Sequence, residues 1–282
     1  MKTSKDLNRI LNDTYCLRQR SKAAFDSILI YNLSRNKDFT KKLRLLDLFC
    51  CAGGAGVGYF RAGFEVVGVD FKPQPRYPLT FIQADALTLD PAFIASFDAI
   101  HASPPCQSYS DLAKRNGNAD AWPRLIEPVR DMLIRSGRPY VIENVEGAPL
   151  RDPTILCGTM FSGLRVIRHR LFETNFPLVT PPHGKHPMVH TFDKRKSHYG
   201  KTDEMLDFVS VTGGGNCTVA AASEAMGIDW MTKNELNEAI PPIYTQFIGE
   251  QLLTHLLATV QTKATRKRTG MTREEVGIGA AV

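Results

Sequence analysis

No apolar run among the 282 residues reaches membrane-spanning length, and residues 1–30 lack the continuous apolar core of a signal peptide. A helical membrane protein is thereby excluded, and a cytoplasmic location is the expectation. Cysteine is sparse. The six residues, at 16, 50, 51, 106, 157 and 217, form no C-x-x-C pair and show no Cys/His ligand spacing, so no metal site is expected. A disulfide framework is not needed at this size. A strong overall charge is also missing, with 35 Lys and Arg against 29 Asp and Glu, a net +6. With 43% apolar residues the chain can bury a full core, which reads as one catalytic-sized domain with a small lobe.

The charge is unevenly placed. Residues 1–44 hold eleven Lys and Arg against four Asp, leaving +7 on that segment. Leu7, Ile10, Leu11, Phe25, Ile28 and Leu29 recur at helical spacing, so 1–42 reads as a basic helical extension. Its outer face is either simply solvated or a nucleic-acid contact.

The most informative stretch is Ser103-Pro104-Pro105-Cys106-Gln107. The preceding run, Phe97–Ala102, reads as a short buried strand, and the two prolines forbid further ladder hydrogen bonds. Cys106 therefore lies just past the carboxyl end of a strand, the edge at which open α/β sheets bind ligands. Pro139-Tyr140-Val141-Ile142 is a second such run, and it leads into Glu143-Asn144-Val145 at the same edge. A nucleophile and a proton donor can converge there. Taken singly, each has a plainer reading, since a lone cysteine is more often a small buried hydrophobe and a lone glutamate a surface carboxylate.

Upstream, Leu43–Phe49 is strand-like and runs into Cys50-Cys51-Ala52-Gly53-Gly54-Ala55-Gly56-Val57-Gly58, followed by a helical pattern. Strand, glycine-rich turn and helix together let backbone N–H groups approach a ligand, although many α/β proteins need such a turn for packing alone. The next strand, Glu65–Val69, ends in Asp70, about twenty residues past the turn, where an acidic group suits a ribose. Phe81–Ala84 leads into Asp85, suited to an exocyclic amine. Asp70 and Asp85 can also be read as ordinary loop carboxylates.

At this point the chain resembles the DNA (cytosine-5) methyltransferase family. Asp47-Leu48-Phe49-Cys50-Cys51-Ala52-Gly53-Gly54 is similar to its cofactor-loop motif, Pro104-Pro105-Cys106-Gln107 to its nucleophile motif and Glu143-Asn144-Val145 to its cytosine-binding motif. Arg168-His169-Arg170-Leu171-Phe172 resembles the paired-arginine motif and Ala239-Ile240-Pro241-Pro242 the end of the final one. The motifs occur in the family's order over 43–172 and about 220–257.

The resemblance implies a Rossmann-like class I methyltransferase fold, an α/β architecture whose mostly parallel seven-stranded sheet has its last strand antiparallel. It implies S-adenosylmethionine as cofactor, with Phe49 stacking on the adenine, Asp70 on the ribose and Asp85 on the adenine amine, and Asp47, Gly53, Gly54, Phe71, Ala86, Pro105 and Glu238 also cofactor-binding. Cys106 would attack carbon 6 of cytosine, with Glu143 at ring nitrogen 3 and Arg168 and Arg170 supporting the ring and nucleophile. The arginines would lower the Cys106 pKa. Pro105, Gln107, Ser108, Asn144 and Val145 would shape the substrate pocket, and the base would have to flip out of the duplex.

Departures from the family pattern fall at Cys51, where glycine is usual, at Val166, where glutamine is usual, and at Asn237-Glu238, in place of glycine-asparagine. Only about fifty residues separate Phe172 from Ser223, where a bulky recognition domain is usual. That short lobe holds Lys194, Arg195 and Lys196 beside Phe192 and Tyr199, which suits nucleic-acid contact, although a solvated insertion has the same composition. The organisation reads as 1–42 basic extension, 43–172 cofactor-binding and catalytic core, 173–222 small target-recognition lobe, 223–261 return to the core and 262–282 flexible tail. An apolar-periodic helix from Ile243 to Val260 should pack beside the cofactor loop. Double-stranded DNA is the expected partner, with no obligate protein partner evident. Competing expectations are transfer RNA as substrate, a modified S-adenosylmethionine as donor, or an inactive DNA-binding homologue. Small enzymes of this kind resemble those of restriction-modification systems and bacteriophages.

Overall fold

The computed structural model describes residues 42–110, 117, 121–186, 189–190, 208–209, 211 and 217–269, of which 189–190 and 261–269 by backbone alone. Residues 1–41 of the basic extension and the cluster Lys194, Arg195 and Lys196 lie outside the described residues. The chain divides into two compact units at the Lys42–Leu43 junction, and every described residue but Lys42 belongs to the second.

Seven strands form one sheet: β1 (Arg44–Leu48), β2 (Glu65–Asp70), β3 (Thr80–Gln83), β4 (Ala99–Ala102), β5 (Tyr140–Asn144), β6 (Thr154–Leu156) and β7 (Arg170–Thr174), in the order β3-β2-β1-β4-β5-β7-β6. The pairs β1–β2, β1–β4, β2–β3 and β4–β5 are parallel, and β7 runs antiparallel to both β5 and β6. The central strands are apolar on both faces because helices cover both. Alternation along β1 shows this: Leu45 packs with Tyr59, Phe64, Val141 and Tyr244, whereas Leu46 and Leu48 pack with Ile94, Ile100, Val129 and Leu133.

Strand order reverses between β1 and β4, so the loops leaving these two strands open the crevice at the switch point of the sheet. The β1 loop leads into α1 (Gly54–Ala62). The β4 loop carries Cys106. On the sheet's flanks lie α2 (Pro91–Ala95), whose Asp90 side chain caps its N-terminus, and α3 (Ile126–Ser136), closed by Gly137 in the left-handed region.

After the sheet come a two-residue parallel pair, β8 (Val189–His190) with β9 (Phe208–Val209), then α4 (Val219–Met226), α5 (Lys233–Glu238) and α6 (Pro242–Thr269). As expected, α6 packs beside the helix of the cofactor loop. A β-carbon at Gly58 would meet Thr245 Oγ1 at 2.0 Å and the Pro242 carbonyl at 2.1 Å, so glycine is what lets the two helices touch. Thr245 Oγ1 donates to the Ala55 carbonyl at 2.8 Å across that contact. Here the glycine-rich run serves packing as well as the loop.

Three boundaries differ from the sequence reading. β7 continues through Thr174 and α4 spans 222–223, because strand and helix follow their own hydrogen bonds across the expected lobe limits. The expected flexible tail from 262 is corrected in part: α6 runs to Thr269. Residues 262–269 hold no glycine or proline, and Lys263, Arg266, Lys267 and Arg268 complement the negative end of a helix dipole. No described helix is long and apolar enough to cross a membrane.

Candidate active site

The β1 loop is tightly wound. Phe49 (φ 58°) and Cys51 (φ 44°) both adopt left-handed backbone, costly for residues with a β-carbon, and Gly53 follows at φ 89°. A β-carbon on Gly53 would lie 2.9 Å from the Tyr77 ring. The loop is held by Asp70 at the end of β2, whose Oδ2 accepts the Cys51 N–H and whose Oδ1 accepts the Lys72 N–H, each at 3.0 Å. Cys51, the unusual residue of the motif, points outward and is exposed.

Asp47 is fully buried beneath this loop. The Tyr77 hydroxyl donates to its Oδ2 at 3.2 Å, and Oδ1 has no hydrogen-bond partner among the described residues. Burial pushes its carboxyl up to about 7, against the lowering effect of the Tyr77 hydrogen bond. Tyr77 was not foreseen in the sequence reading. Its signal is the space left above Gly53, Gly56 and Gly68, all three close to its ring.

One cleft joins this loop to the β4 loop. Asp47, Phe49, Cys51 and Gly54 line one side, Pro104, Pro105, Cys106 and Gln107 another, and Glu143, Val145 and Arg170 the floor; Met231, Glu235, Asn237, Glu238 and Ile240 close it. The cofactor-loop, nucleophile and Glu-Asn-Val motifs thus meet in a single space. Phe71, Asp70, Asp85 and Ala86 lie outside this lining: Phe71 is exposed, Ala86 is buried, and Asp85 Oδ1 caps a short 3-10 turn by accepting the Leu87 N–H. Ser108 is buried and does not line the cleft. Asn144 is also buried and acts as a brace, its Nδ2 donating to the Pro104 carbonyl at 2.9 Å and so tying the Cys106 loop to β5.

Glu143 is 5% exposed, and Arg170 Nε lies 2.9 Å from its Oε1. Burial raises the Glu143 pKa, opposed by Arg170, a Ser103 hydrogen bond and Arg168. Behind it runs a buried relay absent from the sequence reading. Tyr59 Oη lies 3.0 Å from His101 Nδ1, and His101 Nε2 lies 2.8 Å from Ser103 Oγ. Burial pushes His101 down to about 3, so it is neutral. With the Ser103 hydroxyl donating to Glu143, Ser103 accepts from His101 Nε2–H, and His101 Nδ1 accepts from the Tyr59 hydroxyl. The hint in the sequence is a histidine inside a strand otherwise built of small apolar residues.

The arginine pair divides its work. Arg168 is buried and donates to backbone carbonyls, through Nη1 to Val211 at 2.7 Å and through Nη2 to Asn237, while its own carbonyl accepts from the Tyr244 hydroxyl at 2.7 Å. Burial, then the charge of Arg170, lowers its pKa to about 9. The expected lowering of the Cys106 pKa is corrected. Arg170 and Arg168 do pull the thiol down, but burial outweighs them and the net shift is upward. At the closing end, Glu235 accepts from Arg76 Nε at 2.7 and 2.9 Å and from the Thr232 backbone N–H, which holds it down to about 2. Trp230 Nε1 donates to the Ala52 carbonyl at 2.8 Å, joining the last segment to the cofactor loop.

The expectation of no metal-ligand grouping is also corrected. Cys157, His169, His183 and His186 present ligand atoms all within 4.8 Å of one another. Linear spacing hid the set, apart from the H-x-x-H of His183 and His186, because three separate segments contribute.

A seven-stranded, mostly parallel sheet with these loops at its switch point is the class I methyltransferase fold. Residues 43–154 match the family model of the C-5 cytosine-specific DNA methylase. Among curated relatives it is 30% identical over 123 residues to the type II methyltransferase M.AgeI of Thalassovita gelatinovora, covering 37% of this chain and 28% of that one. It is 29% identical over 119 residues to M.HgiGI of Herpetosiphon aurantiacus, covering 38% and 94%, and 28% identical over 150 residues to M.HpaII of Haemophilus parainfluenzae, covering 48% and 40%. The matched region thus spans well under two thirds of M.AgeI and M.HpaII. A crystal structure described as a DNA modification methyltransferase encoded within an E. coli prophage matches 75% of this chain and 99% of its own, with a TM-score of 0.50 at 16% identity, a likeness of fold.

Proposed function

We propose that the chain methylates carbon 5 of cytosine in double-stranded DNA, using S-adenosylmethionine, through a transient bond between Cys106 and carbon 6 of a flipped-out base. The observation that carries the reading is the single cleft in which the cofactor-loop motif faces Cys106 and Glu143. The family-model match over residues 43–154 and the named type II relatives support DNA as the substrate class.

The residues fit the cofactor. The buried, unpartnered Oδ1 of Asp47 and the carboxylate of Glu238 face the same cleft and suit a cationic ligand, and Phe49 offers a ring at its edge. Both Asp70 oxygens already accept a backbone N–H, yet each keeps a second lone pair for a ribose hydroxyl. S-adenosylmethionine, when bound, supplies a methyl group on positively charged sulfur.

The chain's own residues do the rest. Cys106, as thiolate, adds to carbon 6, because carbon 5 of an intact cytosine is too poor a nucleophile. Glu143, whose pKa burial raises, gives a proton to ring nitrogen 3 as charge builds there. Arg170 holds the Glu143 carboxylate in place, and Arg168 anchors the segment on which Arg170 sits. After methylation the carbon 5 proton leaves, the Cys106–carbon 6 bond breaks and 5-methylcytosine is released. Extrusion of the base is required because carbon 6 is unreachable in a stacked duplex. The Lys194-Arg195-Lys196 cluster serves as the phosphate contact of the small lobe.

The test is transfer of tritium from labelled donor to duplex DNA and to transfer RNA, with wild-type protein and Cys106→Ala. Label in duplex DNA alone, lost in the variant, is expected. Label in transfer RNA only, or an unchanged rate in Cys106→Ala, would overturn the proposal.

A further inference from the structure

We propose that Cys157, His169, His183 and His186 form a structural zinc site that clips the start of the small lobe to the paired-arginine segment. The pairing of β6 with β7 places the first two ligands opposite each other. Its register runs Thr154–Phe172, Ile155–Leu171 and Leu156–Arg170, and the next step of the same ladder sets Cys157 against His169. His183 and His186, three residues apart in an extended segment, bring their Nε2 atoms to His169.

The nitrogen–nitrogen distances and the Cys157–His186 contact suit tetrahedral zinc, and no two of the four ligand atoms are more than 4.8 Å apart. The three imidazole Nε2 atoms are 3.0, 3.1 and 3.2 Å apart, and Cys157 Sγ is 3.5 Å from His186 Nε2. Zinc with bonds of about 2.0 Å to nitrogen and about 2.3 Å to sulfur requires about 3.3 Å between nitrogens and about 3.5 Å between nitrogen and sulfur. The ring centroids are 4.8 to 5.2 Å apart, farther than the Nε2 atoms, so the nitrogens turn inward on one point.

Hydrogen bonds alone cannot satisfy this arrangement. His169 Nδ1 lies 2.9 Å from Glu146 Oε2, an acceptor, and with Nδ1–H set on that carboxylate the Nε2 lone pair is what faces the cluster. Two further Nε2 atoms crowd that lone pair. A cation at the centre satisfies all of them together. The surroundings match as well: Glu146 orients His169 as carboxylates orient metal-bound imidazoles, and Thr159 Oγ1 donates to the Cys157 sulfur at 3.4 Å. Four protein ligands of nitrogen and sulfur leave no open position, which marks a structural site and selects zinc over hard cations.

Its consequence is positional. His169 lies between Arg168 and Arg170, and His183 and His186 belong to the 173–222 lobe, so the metal would fix the Glu143 partner and this part of the lobe together.

Full-length protein, reduced and purified without chelator, is analysed for metal by mass spectrometry and titrated with zinc chloride and cobalt chloride. One zinc per chain is expected, with cobalt giving a tetrahedral visible spectrum and a thiolate charge-transfer band that Cys157→Ser removes. His183→Ala with His186→Ala, both at exposed positions, should retain the fold by circular dichroism and weaken zinc at least tenfold. Glu146→Gln should weaken it by about 10- to 100-fold. Absence of zinc in the purified protein together with no uptake on titration, or unchanged zinc affinity in the double histidine variant, would overturn the proposal. None of these readouts depends on methyl transfer.

Discussion

In the proposed mechanism Cys106 reacts as a thiolate, while burial holds its thiol above the ordinary value of 9.0. Below that pKa the reactive fraction grows about tenfold per pH unit, so kcat/KM should climb with a slope of about one on a logarithmic plot between roughly pH 7 and 8.5. Arg170 is the strongest influence lowering the thiol, and Arg170→Gln should move this limb to higher pH as well as reduce the rate. A profile that is flat over this range in wild type would contradict the assignment of Cys106. Asp47 gives a second pH signature. Its carboxyl is raised from 3.8 to about 7, so between those values the folded chain binds more protons than the unfolded one, and stability falls as pH rises through the window. Asp47→Asn removes that penalty. In the absence of donor the variant should gain up to about 4 kcal/mol at pH 8 relative to wild type, with the difference vanishing below about pH 4, as measured by urea unfolding. The same variant should bind S-adenosylmethionine more weakly.

At the scale of elements, two contacts carry testable weight. Gly58→Ala forces a β-carbon into Thr245 Oγ1 and the Pro242 carbonyl, and separating α1 from α6 should cost about 3 kcal/mol in denaturant unfolding. Arg130 on α3 and Glu173 on β7 form a buried two-pronged pair, both contacts at 2.7 Å. Glu173→Leu leaves the buried arginine with only the exposed Glu127 and the Pro149 carbonyl and should cost about 3 kcal/mol, whereas a loss below about 1 kcal/mol would show the pair to be dispensable.

These elements also explain what the sequence made legible. The strands that lead to Asp70, to the Cys106 loop and to Glu143-Asn144 were readable because each apolar run stops at a residue or proline pair that local chemistry dictates. The place of β7 between β5 and β6 was not, since antiparallel insertion depends on pairing partners thirty residues apart. The same holds for the anchoring of Arg168 on the carbonyls of Val211 and Asn237, and for the relay from Tyr59 through His101 and Ser103. The net rise of the Cys106 pKa was misjudged for a related reason: charges can be counted in a sequence, but the burial that outweighs them follows from packing.

For the whole molecule, the proposed function assigns the short lobe and its basic cluster to holding DNA. Replacing Lys194, Arg195 and Lys196 with alanine should weaken duplex binding at low salt and flatten the plot of log K against log salt by up to about 2.7, near 0.9 for each lost phosphate contact. Unchanged affinity with the same slope would remove the cluster from the interface. The central claim is the covalent step itself. Duplex DNA carrying 5-fluorocytosine blocks loss of the carbon 5 substituent, so the enzyme and the base should remain joined after methylation. Intact-mass spectrometry of the wild-type protein with this DNA and S-adenosylmethionine is predicted to show protein, DNA and one methyl group as a single species, mapped by peptide digestion to Cys106 and absent in Cys106→Ser. Methylation of ordinary duplex DNA without any such adduct, or an adduct on another residue, would contradict the account.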